Sequence, residues 1–493
     1  MSQANRTATE AAASCPAPDP RRWLVLPVLL VGAMMAPLDF FIVNVALPAI
    51  RAGLHMSAAQ VQFVIAAYTV AYAVLLAISG RLGDLYGRKR MFVGGMLGFA
   101  IASALCGLAP SPEVLIFGRL VQGIAAAIMV PQVLATIQTI FPAIERPRVL
   151  GVFGAIFGLA AILGQLAGGT LIAWHPAGLT WQTIFLVNVP ICAIGVIAAA
   201  RLLREHRPSR GEQLDVAGVI LLTLALTLLV YPAVEGREAG WPAWSLVSLA
   251  SVLPCLFLFV RVEQWQLAQG RAPLVDLRLF ANPRFTLGLV IAFLFYGAAA
   301  FFLTYALYLE EGLGWAPLPT SLAILPHGVA FFLGPFATPF LLRRLGSGVL
   351  NLGSGLMVIG FSITCASVLW AGGPGLLMYA GLFCIGLGQG FVLPSLVRLV
   401  LQEARTQHAG LAAGLINSTL QIGATLSVSV IGGVFFTILG PNPEPARFVP
   451  AFAVTLACIA LVNVACFVLA LVMRRGRIAR ATHLEEAGVN PRA

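Results

Sequence analysis

Residues 80–90 read Gly80-Arg81-Leu82-Gly83-Asp84-Leu85-Tyr86-Gly87-Arg88-Lys89-Arg90. Glycines at 80, 83 and 87 let the chain turn tightly, and one acid, Asp84, stands among the cations Arg81, Arg88, Lys89 and Arg90. A loop that merely joined two elements would need neither Asp84 nor that glycine spacing. On both sides the sequence turns apolar, over about 61 to 79 before it and about 92 to 109 after it. Each stretch is near the roughly 20 residues that cross a bilayer as one helix.

The pattern extends outward in both directions. Further apolar stretches fall at about 24 to 50, 114 to 138, 149 to 172, 182 to 200, 215 to 234 and 243 to 260, and then at about 285 to 309, 318 to 341, 348 to 371, 375 to 397, 410 to 438 and 449 to 473. The whole chain of 493 residues is 59% hydrophobic and 10% charged, with a mean hydropathy of +0.93. That composition predicts an integral membrane protein of fourteen spans and excludes a large soluble catalytic domain, so no enzyme is expected. The distribution of charge supports the count. With alternating spans, 26 basic residues fall on one face and only Arg51, Arg237 and Arg447 on the other. Cytoplasmic loops carry such an excess, which predicts a cytoplasmic membrane protein with both termini inside. The same rule accounts for the net charge of +11 without nucleic acid.

Lys89 is the only lysine and is followed by Arg90. A phosphate-binding loop needs Lys followed by Ser or Thr, so no ATP hydrolysis by that route is expected. The eight cysteines show no metal-ligand spacing, so neither metal nor cofactor is expected. The first twenty residues are polar and include Glu10 and Asp19, and the following apolar stretch exceeds a signal-peptide core; it reads as an uncleaved first span.

The first and last six spans form a weak repeat, in which Gln122-Gly123 precedes Pro131 and Gln389-Gly390 precedes Pro394. Paired six-helix halves are the signature of an alternating-access transporter. The domains expected are a cytoplasmic tail at 1–22, a six-helix bundle at 23–200, linkers with two inserted spans at 201–284, a second bundle at 285–473 and a tail at 474–493.

The stretch from Gly80 to Arg90 resembles the G-x-L-a-D-r-x-G-r-k motif of the major facilitator superfamily. The resemblance implies the major facilitator fold, all-α and membrane-embedded, with two six-helix bundles and two inserted central helices. It also implies that Gly80, Gly83, Asp84, Gly87 and Arg88 form a conformational latch, Asp84 facing the start of the eleventh span. Leu38-Asp39-Phe40-Phe41-Ile42-Val43-Asn44-Val45-Ala46-Leu47-Pro48 is similar to the L-D-x-T-I-V-N-V-A-L-P stretch of the fourteen-helix drug:proton antiporter branch, with Phe41 in place of Thr. Gly118-Arg119-Leu120-Val121-Gln122-Gly123 resembles R-x-x-Q-G. The fifth span has Gly158 and then Gly164-Gln165-Leu166-Ala167-Gly168-Gly169, similar to the antiporter motif G-P-x-x-G-G with Gln165 in place of Pro. Trp181 to Pro190 resembles W-R-W-I-F-x-x-N-x-P at the start of the sixth span.

Asp39 reads as the only carboxylate well inside a span. Charge there is unfavourable by roughly 2.5 to 3.5 kcal/mol, so such a residue usually faces a cavity or a partner, and desolvation favours the protonated form of a carboxyl. At a rise of about 1.5 Å per residue, Asp39 lies about 13 Å in from Pro48 and Arg119 about 9 Å in from Glu113. The first and fourth helices are neighbours in the resembled fold, so Arg119 is expected to stabilise ionised Asp39 and to release it on protonation; a permanent ion pair is the competing reading. Asn44, Tyr68, Tyr72, Gln122, Gln138, Tyr296, His327, Asn417 and Gln421 are candidate cavity residues among Phe-rich walls, though each also reads as a helix-packing contact. The expected function is proton-coupled export of lipophilic or amphipathic drug-like compounds, with protons, a small lipophilic substrate and the lipid bilayer as partners. A dedicated exporter of one metabolite or lipid, and a sensor or channel on the same scaffold, are the alternatives.

Overall fold

A computed structural model describes residues 20–486 except 143, 206–214, 272, 372–373, 404–408 and 441–442. Most of the expected N-terminal tail at 1–22, and the expected C-terminal tail beyond 486, lie outside the described residues.

Among the described residues, fourteen helices are long and apolar enough to cross a membrane: α1 (Arg22–Leu54), α2 (Ala58–Tyr86), α3 (Arg88–Gly107), α4 (Pro112–Ile140), α5 (Arg146–Trp174), α6 (Thr183–Leu202), α7 (Val216–Glu238), α8 (Ala243–Ala268), α9 (Pro283–Gly312), α10 (Pro317–Leu345), α11 (Gly348–Ala371), α12 (Leu376–Glu403), α13 (Ala412–Leu439) and α14 (Pro445–Glu486). Their ends follow from local chemistry. Ser57 caps α2 by accepting from Gln60 N–H, while the Gln60 side chain accepts from Ser57 N–H. Ser111 caps α4 ahead of Pro112, and Asn282 caps α9 ahead of Pro283. Gly87 ends α2 at φ +99, a backbone conformation that disfavours any side chain.

Four of the described spans are irregular: α6 is interrupted at Val187 and α10 at Ile324, and α9 and α13 depart from regular winding further in. In α9 the regular winding breaks at Tyr296–Ala299, and both α9 and α13 loosen, at Tyr308–Gly312 and Ser427–Ile431. The hydroxyl of Ser427 donates to Gly297 O at 2.5 Å and accepts from Ala300 N–H at 3.0 Å, so α13 satisfies backbone groups near the break in α9.

The helices α1–α6 pack together around Phe92, Met96, Phe99 and Met129, and α9–α14 around Phe301, Phe361, Phe435 and Phe452. The inserted pair is central in sequence but peripheral in space. Helix α7 packs against α2, with Phe63 and Tyr231 stacked at 5.7 Å, and α8 packs on α7.

The two six-helix groups meet along α1–α9, α2–α13 and α5–α10. On α2 the joining contacts are Gln62 to Val428 O at 2.6 Å, Thr69 to Thr425 at 2.7 Å and Ala73 O to Ser418 at 2.8 Å. On α5, a Cβ on Gly158 would stand 2.4 Å from Phe332 Cα, and one on Gly169 would stand 2.8 Å from Pro317 O. Towards the Arg-rich face, Gly80, Gly151 and Gly154 have open space beside them. The contacts between the halves thus run from mid-membrane to the Arg-poor face, where Arg51 meets Glu311.

Several expected boundaries move. Helix α2 runs through Gly80 and Gly83 to Tyr86 instead of turning there, and α8 and α14 continue to Ala268 and Glu486 rather than ending near 260 and 473. Near the Arg-rich ends of α7 and α8 two further carboxylates, Asp215 and Glu263, are buried, each 1% exposed. Sequence could not anticipate this, because the segment after α8, whose Leu274 and Val275 N–H groups donate to these acids, folds back on both helices.

Candidate functional site

Arg119 and Gln122 are three residues apart and share a face of α4. That face meets α1 at Asp39, α3 at Ser103 and α6 at Asn188, and all five side chains are buried. Arg119 Nη1 donates to Asp39 Oδ2 and, at 2.6 Å, to Gln122 Oε1, while its Nε donates to Val64 O at 3.0 Å. The Tyr68 ring lies 4.3 Å from the guanidinium, adding a cation–π contact. Asp39 Oδ1 accepts from Gln122 Nε2 at 2.7 Å and from Asn188 Nδ2 at 3.3 Å, and Gln122 also donates to Ser103 Oγ at 2.9 Å. Every polar neighbour of Asp39 donates to it. This arrangement fits the ionised carboxylate, since a buried charge is tolerated only when paired and hydrogen-bonded.

The 80–90 stretch has its own network. Arg88 pairs with Asp84 at 3.0 Å and donates to Ala135 O at 2.9 Å and Thr139 Oγ1 at 2.5 Å. A Cβ on Gly83 would stand 1.9 Å from Gln132 Oε1, so a side chain there would displace Gln132, whose amide nitrogen donates to Ser79 O at 2.7 Å. Glu205, after α6, accepts from Lys89 and Arg90 N–H at 3.2 Å each and caps α3.

The α5 glycines divide their work. Gly164 and Gly168 admit α1, with Leu38 O and Ile42 O respectively 2.8 and 3.2 Å from where a Cβ would stand, whereas Gly158 and Gly169 admit α10. Gln165 is 1% exposed and lines a cavity of about 10 Å³, room for roughly one water, with Phe41, Asn44, Phe302, Tyr305 and Thr320. Neither polar atom of Gln165 has a protein partner, nor do Asn44 Oδ1 and Tyr305 Oη.

The other candidates scatter. Tyr68 belongs to the Asp39 cluster, and Tyr72 packs against it at 5.8 Å. His327 is buried, its Nε2 2.8 Å from Gln389 Oε1 and its ring beside Phe302 and Phe331. Tyr296 and Gln421 are half-buried, while Gln138 and Asn417 are exposed, the latter donating to Ala413 O of its own helix.

A family model described as Major Facilitator Superfamily matches residues 29–428. The chain belongs to the Major Facilitator Superfamily. Among relatives of this facilitator, the "Probable actinorhodin transporter" of Streptomyces coelicolor (strain ATCC BAA-471 / A3(2) / M145) is 38% identical over 433 residues, covering 87% of this chain and 75% of that protein. The "Puromycin resistance protein pur8" of Streptomyces alboniger is 34% identical over 431 residues, covering 86% and 83%. A crystal structure of a bacterial homolog to the human lysosomal transporter Spinster, in an inward-facing and unoccupied conformation, shares the fold at TM-score 0.64 and 16% identity, covering 93% of this chain and 98% of that one.

Sequence reading of this facilitator quoted Asn188 only as part of the stretch opening the sixth span, and it passed over Ser103, Gln132 and Glu205. Asn188 carried a usable signal, a polar side chain inside an apolar span. Ser103 carried almost none, because a serine in a membrane helix usually bonds its own backbone.

Proposed function

We propose that this facilitator is a proton-coupled antiporter that exports lipophilic or amphipathic drug-like compounds across the cytoplasmic membrane, with the Arg-rich face and both termini inside. The observation that carries the reading is the buried ion pair of Asp39 and Arg119. A proton arriving at Asp39 neutralises the carboxylate, weakens its hold on Arg119 and frees Gln122 and Asn188 to reorient. Asn188 Oδ1 has no donor, so it offers an acceptor for the new O–H. Loss of a buried partner shifts a packed equilibrium by several kcal/mol, on the order of 3 to 5, enough to change which access state prevails. Cargo then competes for the state in which Asp39 has released its proton.

In this reading the latch residues Gly80, Gly83, Asp84, Gly87 and Arg88 close the Arg-rich side in the opposite state, with Asp84 exchanging Arg88 for the start of α11. Cargo enters the cleft between the halves, with the buried polar groups of Asn44, Gln165 and His327 at its closed end. The domain limits at 23–200, 201–284 and 285–473 separate the two moving bundles from the insert.

The test is transport in proteoliposomes under an imposed pH gradient, using a lipophilic cationic dye and an aromatic polyketide as cargo. Wild type should accumulate cargo against its gradient, and Asp39→Asn should abolish gradient-driven uptake while retaining cargo binding. Undiminished coupling in Asp39→Asn would sink the proposal. Transport of one compound alone would favour a dedicated metabolite exporter.

A further inference from the structure

Outside both bundles, at the Arg-rich ends of α2, α7 and α8, three charged side chains are buried together: Arg81 (9% exposed), Asp215 (1%) and Glu263 (1%). Asp215 caps α7, its Oδ1 accepting from Gly218 N–H at 2.7 Å and from Gln266 Nε2, and its Oδ2 from Leu274 N–H at 2.9 Å. It is saturated with donors, as an ionised carboxylate requires. Glu263 differs. Its Oε2 accepts from Val275 N–H at 3.0 Å, but its Oε1 is buried with no donor. The two carboxyl groups crowd the same glycine, since a Cβ on Gly218 would stand 2.4 Å from Glu263 Oε1 and 2.5 Å from Asp215 Oδ2, which makes the two oxygens neighbours in a buried site. Two buried carboxylates so close oppose each other's ionisation, and a proton on the one that lacks a donor lets it donate to the other.

We infer that Asp215 and Glu263 share one proton, carried on Glu263 Oε1, and that this pair with Arg81 forms a second proton site fastening the inserted helices to α2. The charged groups acting on Glu263 are Asp215 from α7 and Arg81 from α2. With one proton shared, the acid pair carries a single negative charge that balances Arg81, which also donates to Pro273 O at 2.6 Å in the segment after α8. At the Arg-poor end, Glu238 of α7 accepts from Ala59 N–H of α2 at 2.6 Å. The insert is thus tied to α2 at both ends, and at one end the tie depends on a proton on Glu263, near Arg81, which stands three residues before Asp84.

Infrared spectroscopy of the full chain in phospholipid bilayers at neutral pH reads the C=O stretch of a protonated carboxyl directly. The expected result is a band present in wild type, missing from E263Q and kept in D39N; in D215N it shifts or disappears, because the acid that shares its proton and opposes its ionisation is gone. Should E263Q prove unstable, the D215N shift or loss decides. A spectrum from which E263Q removes no band, or which D215N leaves unchanged, overturns the shared proton. This readout requires no transport and is independent of the antiport reading. A second arm rests on that reading: E263Q should keep gradient-driven uptake and lose part of its dependence on pH at the Arg-rich face. Loss of uptake equal to that of D39N would place Glu263 in the coupling route and overturn its role as a tie outside the bundles.

Discussion

Arg51 at the Arg-poor end of α1 donates to Glu311 at the Arg-poor end of α9 across 2.7 Å, joining the two halves on the face that carries few other basic residues. Around it, Arg51 and Arg237 lie 6.0 and 5.8 Å from the Phe436 ring, and Gln62 holds Val428 O. These contacts must break before the Arg-poor side can open. Both partners of the ion pair are partly exposed, so it contributes about 1 kcal/mol after screening.

Removing that pair should therefore move the population about five-fold towards the state open on the Arg-poor side. Distances between spin labels at the Arg-poor ends of α1 and α9 in Glu311→Gln would read the change. An unchanged distribution would show that the aromatic and backbone contacts hold this face closed without the ion pair.

For the buried pair the expected signature is non-additivity. Arg119→Ala leaves Asp39 without its cation and should destabilise the protein by on the order of 3 to 5 kcal/mol. Adding Asp39→Asn removes the stranded charge, so the double variant should be more stable than Arg119→Ala alone. Thermal midpoints of the three variants and wild type in detergent check this, and strictly additive losses would count against a mutual interaction.

The small residues of α5 should differ sharply in tolerance. Gly158→Ala drives a methyl into the Phe332 backbone and should push α5 from α10, weakening the state described here by about 1 to 3 kcal/mol. Gly154→Ala meets open space and should leave spin-label distances and stability unchanged. Equal behaviour of the two would contradict the close approach at Gly158.

On the Arg-rich surface, Arg22 donates two hydrogen bonds, at 2.8 and 2.9 Å, to the Glu145 carboxylate. They hold its carboxyl below the ordinary value of 4.5. A carboxyl lowered on folding stabilises the protein above its unfolded value and loses that contribution as pH falls through the folded one. Glu145→Gln should flatten the decline of the thermal midpoint on acidification below 4.5 and leave the midpoint's slope above it unaltered. A decline as steep as that of wild type would assign the acid sensitivity elsewhere.

The legible part of this molecule was the local part. Long apolar runs and the one-sided placement of arginine set out the spans, and the spacing Arg119-x-x-Gln122 put two polar side chains on one helix face opposite Asp39. Residues that become partners only through packing left no such trace. Ser103 and Asn188 complete the Asp39 cluster from α3 and α6, and Glu205 caps α3 from 116 positions away.

Sequence alone determined that the chain is a bundle of membrane helices with an acid and an arginine buried in its first half, because hydropathy and helical period act over a few turns. Tertiary structure decided that Arg51 meets Glu311 at a separation of 260 positions, that Glu263 shares a site with Asp215, and that the insert lies against α2. In lipid every face of a helix is apolar, so the pattern that marks a buried face in water is largely erased. Which faces meet is then set by glycine-permitted close approach and by the few polar groups that must find each other.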